Sequence, residues 1–241
     1  MSRSSLPPPP TLRIRTDTAS PTADNGQPSA LPPAVRVQML ATEHWSLLAT
    51  RSMTQSEVLS RITMFLTLVS ASIVSLALIG QVTGFDQRFI TFALVLLGMV
   101  VIVGILTQMR VGNAAIEDLA HVVGMNRLRA AYVELDPAIA RYLVTSAHDD
   151  DDGLWQTYDH LMRPKQMMGL LASSGTFITF FNAGLIGVFA GLVAGALSAP
   201  GPVIGVVAAA CGVGFFGTTA ALGVRQFRGI KQRYVARFPA L

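Results

Sequence analysis

The chain has 241 residues, 51% of them hydrophobic and only 13% charged, with a mean hydropathy of +0.49. Soluble domains carry about a quarter of their residues as charges, so this composition excludes an ordinary soluble protein. The net charge of +4 and pI near 9.7 would suit nucleic acid, but the basic residues flank apolar runs, which points to a membrane surface and to no nucleic acid.

Residues 1–34 hold eight of the thirteen prolines, among them Pro7 to Pro10, with few large apolar side chains. Such a segment buries too little surface to offset its ordering entropy and is expected to be a disordered tail. A polyproline II contact with an aromatic groove is the alternative. The first long apolar run begins only near residue 62, which does not fit a cleaved signal peptide, so insertion is expected to rely on the spans themselves.

Residues 35–60 read as helical and, after the spans are oriented, cytosolic. Val37, Leu40, Trp45 and Leu48 recur at roughly helical spacing, predicting a short amphipathic helix. Thr54-Gln55-Ser56-Glu57 has the form of a capping box, with Met53 and Val58 placed as a staple, and predicts a fresh helix from about residue 55.

The first transmembrane hairpin occupies residues 61–110. Its spans lie in the uncharged stretches 62–85 and 89–109, of 24 and 21 residues, joined by a short connection bearing Asp86 and Arg88. About 20 apolar residues suffice to cross the bilayer core. Ser70, Ala71, Ser72 and Ser75 are small enough to admit a neighbouring helix.

Residues 111–165 form the one sizeable polar connection, read as helical. From 113 to 135 the apolar positions spread around the axis, as in a helix packed among others, with Gly124 interrupting them. Asp136-Pro137 signals a new short segment reaching about Ala147. The acidic run follows, and Leu154 to Met162, with Trp155 and Tyr158, is placed for the membrane interface.

The second hairpin is residues 166–224, 59 residues without Asp, Glu, Lys, Arg or His, broken at Ser198-Ala199-Pro200-Gly201-Pro202 by a turn. Residues 225–241 carry Arg225, Arg228, Lys231, Arg233 and Arg237 and no acid. A basic amphipathic helix on an anionic leaflet is expected there, with Phe227, Ile230, Tyr234 and Phe238 on the apolar face. A solvated tail is the alternative.

The fold class is therefore all-α: four transmembrane helices in two hairpins, plus cytosolic amphipathic helices. Four spans put seventeen Lys and Arg on one side and only Arg88 on the other. Basic residues near span ends stay inside, which predicts a multi-pass membrane protein with both termini cytoplasmic.

Candidate sites are few. His148, Asp149, Asp150, Asp151 and Asp152 are the one concentration of hard-cation ligands. Consecutive residues point different ways and the spacing is not an EF-hand's, so a solvated acidic linker paired with Arg163, Lys165 or the basic tail is expected, with a divalent-cation loop as the alternative. Asn182 lies inside the third span, where its amide needs a partner helix. Gly187, Gly191 and Gly195, extended back by Ala183, and Ala210 and Gly214 in the fourth span are small-residue steps for helix packing or self-association. Cys211 is read as a small packing side chain, and a single cysteine builds no disulfide or thiolate metal site within one chain. None of His44, His121, His148 and His160 has a spaced acidic or cysteine partner, and no nucleotide, hydrolase or zinc-protease motif is present. No enzyme activity and no cofactor are expected.

Glu43 to Ser52, Gly124 to Arg129, and His148-Asp149-Asp150 together resemble a family of uncharacterised bacterial four-pass membrane proteins, over roughly residues 35–240. The resemblance implies four spans in a bacterial plasma (inner) membrane and implies no activity. A fainter likeness, of arrangement alone, is to two-span effector domains of bacterial conflict systems. The expected role is a non-enzymatic assembly or scaffold protein, its partners the bilayer, a second copy or a cytosolic protein; a small homo-oligomeric channel lined by Asn182 and the first-span serines is the alternative.

Overall fold

A computed structural model describes residues 31–158 and 173–240. The chain divides into two units, 1–32 and 33–241, and all the architecture below belongs to the second. The tail expected over residues 1–34 lies outside the described residues except for its last four, of which Pro33 and Ala34 already belong to a helix.

The described residues are helical, without strands. Helix α1 runs Pro33–Thr83, α2 Gln87–Leu135, α3 Asp151–Tyr158, α4 Ser174–Ala196 and α5 Gly201–Arg233, with a 3-10 turn at Pro137–Tyr142. Four of these, α1, α2, α4 and α5, are long and apolar enough to cross a membrane. The protein is an all-α membrane protein.

Helix α1 has 51 residues and no break at Thr54. The expected restart near residue 55 is corrected: residues 34–79 contain neither Gly nor Pro, so nothing releases the backbone for a capping box to act on. Glu57 does not reach back to Thr54; its carboxylate accepts from Arg61 Nε at 2.8 Å and from Arg110 Nη2 at 2.8 Å. The helix ends in a tight reversal. Gly84 and Phe85 take positive φ, 63° and 60°, and Phe85 N donates to Gly80 O. A Cβ on Gly80 would lie 2.5 Å from the Phe85 ring, so that turn requires glycine there.

Asp86 caps α2 by accepting from the backbone N–H groups of Arg88 and Phe89. Helix α2 then continues for 49 residues through Arg110, joining the second span and the polar helix into one rod. It stops at Asp136, whose extended backbone (φ −148°, ψ 102°) is the conformation Pro137 imposes on its predecessor. The short segment that follows is a 3-10 turn that ends at Tyr142, short of Ala147.

Helices α1 and α2 are antiparallel neighbours, in contact from Arg36–Glu134 near one end to Phe65 beneath Gly104 and joined by the reversal at Gly84 and Phe85. Helix α4 packs on α2, and α5 packs on α4. Val58, Ile62, Phe65, Val100, Val111, Ala114 and Ile178 form the core, which sits where α1, α2 and α4 meet.

The α4–α5 contact is a backbone-to-backbone approach. A Cβ on Gly187 would stand 2.8 Å from Ala208 O, and one on Gly212 2.8 Å from Ala183 O. Gly191 faces Ala208 Cβ and Gly195 faces Ile204 Cδ1. On α5 the packing register is thus Ile204, Ala208 and Gly212. The placement of Ala210 and Gly214 on the α4 contact is corrected: each lies two residues, about 200° of helical turn, from a contact residue. Ala210 is exposed, and a Cβ at Gly214 would meet nothing within 4 Å. Gly187→Leu is therefore expected to separate α4 from α5 and lower the unfolding temperature in detergent, while Gly214→Leu leaves it unchanged; equal shifts would refute this register.

Candidate functional site

Polar side chains gather at three levels along the bundle. The first lies among the apolar helices. Asn182, 1% exposed, donates from Nδ2 to Gly104 O at 2.8 Å and to Gln108 Oε1 at 2.7 Å. Gln108 Nε2 donates to Thr179 Oγ1 at 3.1 Å, and Thr179 donates to Gly175 O in its own helix. Asn182 thus ties α4 to α2. Its Oδ1 points at Gly104 and has no donor. Gln108 is the partner that sequence reading left unnamed, though it is the one long amide in the second span. Of the first-span serines, Ser72 is buried, and Ser70 and Ser75 donate to carbonyls of their own helix.

The second level stands where the uncharged runs end. Glu57 sits between Arg61 on its own helix and Arg110 on α2, and Arg110 also donates to Glu117 at 2.9 Å. Hydrogen bonds from Arg110 and then Arg61 bring the Glu57 carboxyl down to about 2 from its usual 4.5. A lowered carboxyl pKa stabilises the fold fully above the unfolded value, and that stability disappears as pH falls through the folded one. Glu57→Gln should therefore unfold at lower temperature than the parent at pH 7, with the gap closing as pH approaches 2. A gap that does not change with pH would show that the charge of Glu57 is not what matters.

The third level is the junction at the polar end, built on Asn126 and Arg127 of α2. Asn126 is fully buried, and its Nδ2 donates to His148 O at 2.8 Å and Gly153 O at 3.3 Å. Its Oδ1 accepts from Thr157 Oγ1 at 3.0 Å and Arg129 Nη1 at 2.8 Å. One side chain thereby fixes both ends of the turn that starts α3. Asp150 caps that turn by accepting from Gly153 N at 2.8 Å.

Asp149 is 0% exposed. Its carboxylate accepts from Arg127 Nε at 2.7 Å, Tyr234 Oη at 2.8 Å, Phe238 N at 2.8 Å and Arg237 N at 3.1 Å. Asp149 N donates to Phe238 O, Ala240 N donates to Asp150 Oδ2 at 2.7 Å, and Lys231 pairs with Asp151. Arg127 also lies over the Tyr234 ring. Burial alone would raise the Asp149 carboxyl, but the bonds from Arg127, Phe238, Arg237 and Tyr234 outweigh it and bring it to about 2.

This junction corrects two expectations. The acidic run does pair with the basic tail, as expected, but it is not a solvated linker: Asp149 is its buried centre, and it engages the tail mainly through backbone N–H groups. His148 is exposed and contributes its carbonyl, while Asp151 and Asp152 face outward. Among the described residues no three His, Cys, Asp or Glu side chains converge as metal ligands. Arg163 and Lys165 lie outside the described residues, as does the 159–162 part of the interface segment. Nor is the basic tail a separate surface helix. Helix α5 runs unbroken through Arg225, Arg228 and Lys231 to Arg233, and Tyr234 leaves it with extended backbone. Arg237 and Phe238 give their N–H groups to Asp149 instead of to helix carbonyls, and Pro239 disfavours helix at Phe238.

Between the second and third levels, Arg51 Nε donates to Asp118 Oδ1 at 2.6 Å, and Tyr158 Oη and Gln55 Nε2 donate to the same carboxylate. This joins α1, α2 and α3. Leu47 fits against Gly124, where a Cβ would come within 2.9 Å of Leu47 Cδ1, so the glycine that interrupts the apolar pattern lies on the face of α2 that meets α1.

The chain matches no protein-family model, no curated protein and no solved structure.

Proposed function

We propose that this is a non-enzymatic, multi-pass protein of a bacterial plasma membrane, with both termini cytoplasmic, whose polar helical end is a platform for self-assembly or for a cytosolic protein partner. The observation that carries this reading is the length of α1 and α2, 51 and 49 residues. At about 1.5 Å per residue each is roughly 75 Å long, more than twice a bilayer core of about 30 Å. The excess forms an ion-paired two-helix stalk with Trp45 71% and Met53 73% exposed on it. The distribution of Lys and Arg supports the orientation, and the resemblance to uncharacterised bacterial four-pass proteins supports the four spans.

The experiment is a mass measurement of the full chain in native-like membrane discs, paired with conductance of the same preparation in planar bilayers. The platform reading expects a defined oligomer, or a monomer that captures a specific soluble partner, and no selective current. A selective current abolished by Asn182→Leu would replace it with the homo-oligomeric channel. That alternative needs a path between copies, because within one copy both hydrogens of the Asn182 amide are already engaged by α2.

A further inference from the structure

At the meeting of α1, α2 and α3 the charges do not balance. Arg51 is matched by Asp118. Arg129 is not: its one hydrogen bond runs from Nη1 to Asn126 Oδ1 at 2.8 Å, and no carboxylate among the described residues pairs with it. Asn126 Oδ1 also accepts from Thr157, so that end of the guanidinium is held in place while its remaining N–H groups have no acceptor among the described residues.

His44 lies beside it. Its ring stacks on Tyr132, one turn beyond Arg129, with centroids 6.1 Å apart, and its Nδ1 is buried without a hydrogen-bond partner. Burial, then the charge of Arg129, holds the imidazole below its ordinary pKa, and burial, then the charge of Arg51, disfavours the Arg129 cation. A partly desolvated guanidinium whose charged neighbour is a second guanidinium attracts an anion.

We propose that Arg129 and His44, flanked by Arg51, form a binding site for a small oxyanion, a phosphate or carboxylate group supplied from solution. The planar guanidinium fork matches two oxygens of such a group, and the His44 Nδ1 can donate to a third position. The position selects the source. Arg129 is nineteen residues beyond Arg110, where the uncharged run ends, or about 28 Å along a helix. A lipid headgroup at that edge does not reach it. This site stands independently of the platform reading.

The test uses the full-length protein in detergent at fixed ionic strength, titrated with inorganic phosphate and separately with acetate, and read by unfolding temperature and calorimetry. Saturable stabilisation is expected from at least one of the two anions. Arg129→Gln should weaken the apparent affinity at least tenfold, whereas Arg225→Gln, which removes a cation from α5, leaves it unchanged. Arg129→Gln also loses the bond to the buried Asn126 Oδ1, so the apparent anion affinity, and not the basal unfolding temperature, is the readout that tests the site. Should that variant fail to fold, His44→Phe keeps the stack on Tyr132 and removes Nδ1, and its affinity should fall at least threefold. A response that does not saturate, or that is the same in the parent and the variants, overturns the site and leaves an adventitious ion only. Stabilisation by anionic lipid in discs, with none from free phosphate or acetate, overturns the solution source.

Discussion

Gly104→Ala should be among the most damaging single-methyl changes in this protein. The added Cβ would overlap Asn182 Oδ1 and stand 2.9 Å from Phe65 Cε2, both fully buried. Neither can yield cheaply: Phe65 belongs to the core, and Asn182 is held by Gly104 O and Gln108. Overpacking of this kind costs about 3 kcal/mol, at the upper end of its usual range. The interhelical hydrogen bonds themselves are worth less, about 1 kcal/mol in a membrane protein, so Asn182→Ala alone should be the milder change. The two should not add. With Asn182 shortened, Gly104→Ala loses its main clash, and the double variant should be more stable than Gly104→Ala alone. Denaturant unfolding of the four proteins in mixed micelles measures the coupling; strict additivity would mean that Asn182 and Gly104 do not touch.

Asp149→Ala should release the C-terminal strap. Removing one partner of a buried ion pair costs about 3 to 5 kcal/mol; Arg127 keeps some exposure, so the lower end is expected. The loss is also local. The Arg237 and Phe238 amides lose their acceptor, so their hydrogen exchange should accelerate by orders of magnitude, and trypsin should cut after Arg233 and Arg237. Deleting residues 234–241 should cost little more in an Asp149→Ala background, since both changes open the same contact. In the parent, the Asp149 carboxyl is held at about 2 against the usual 3.8. A depressed carboxyl contributes its full stability above the unfolded pKa and loses it as pH falls through the folded one. The strap should therefore remain closed at pH 5 and open only as pH drops from about 4 toward 2. Slow tail exchange in Asp149→Ala, or tail release already at pH 5, would contradict this account.

The spans were legible because runs such as 166–224 contain no charge at all, and no tertiary contact is needed to read them. The turns were legible for a similarly local reason, in the short charged connection of Asp86 and Arg88 between two uncharged runs and in Pro200-Gly201-Pro202 as a breaker. What misled was local chemistry whose outcome depends on distant groups. Thr54-Gln55-Ser56-Glu57 is a valid cap in isolation, but Glu57 finds Arg110, 53 positions away, a stronger partner. Ala210 and Gly214 are as small as Ala208 and Gly212, and composition cannot say which pair faces α4; the register is set by Gly187 against Ala208 O. Asp149 is indistinguishable in sequence from Asp151 and Asp152. It is buried because Asn126, on another helix, positions the turn around it. Asn126 carried a weak hint, as a poor helix former inside the last third of a 49-residue helix.

The continuity of α1 and α2 past Arg61 and Arg110 has a mechanical meaning. A rod without a hinge turns tilt into displacement. From Arg61 to Arg36 the helix extends about 38 Å, so a 10° change in tilt would carry its far end through about 7 Å if α1 moved as one body. Pairs such as Arg51–Asp118 and Glu57–Arg110 oblige α2 to move with it. Any tilt of α1 within the bilayer would then be carried to Trp45 and its neighbours, with no change in helix structure along the way.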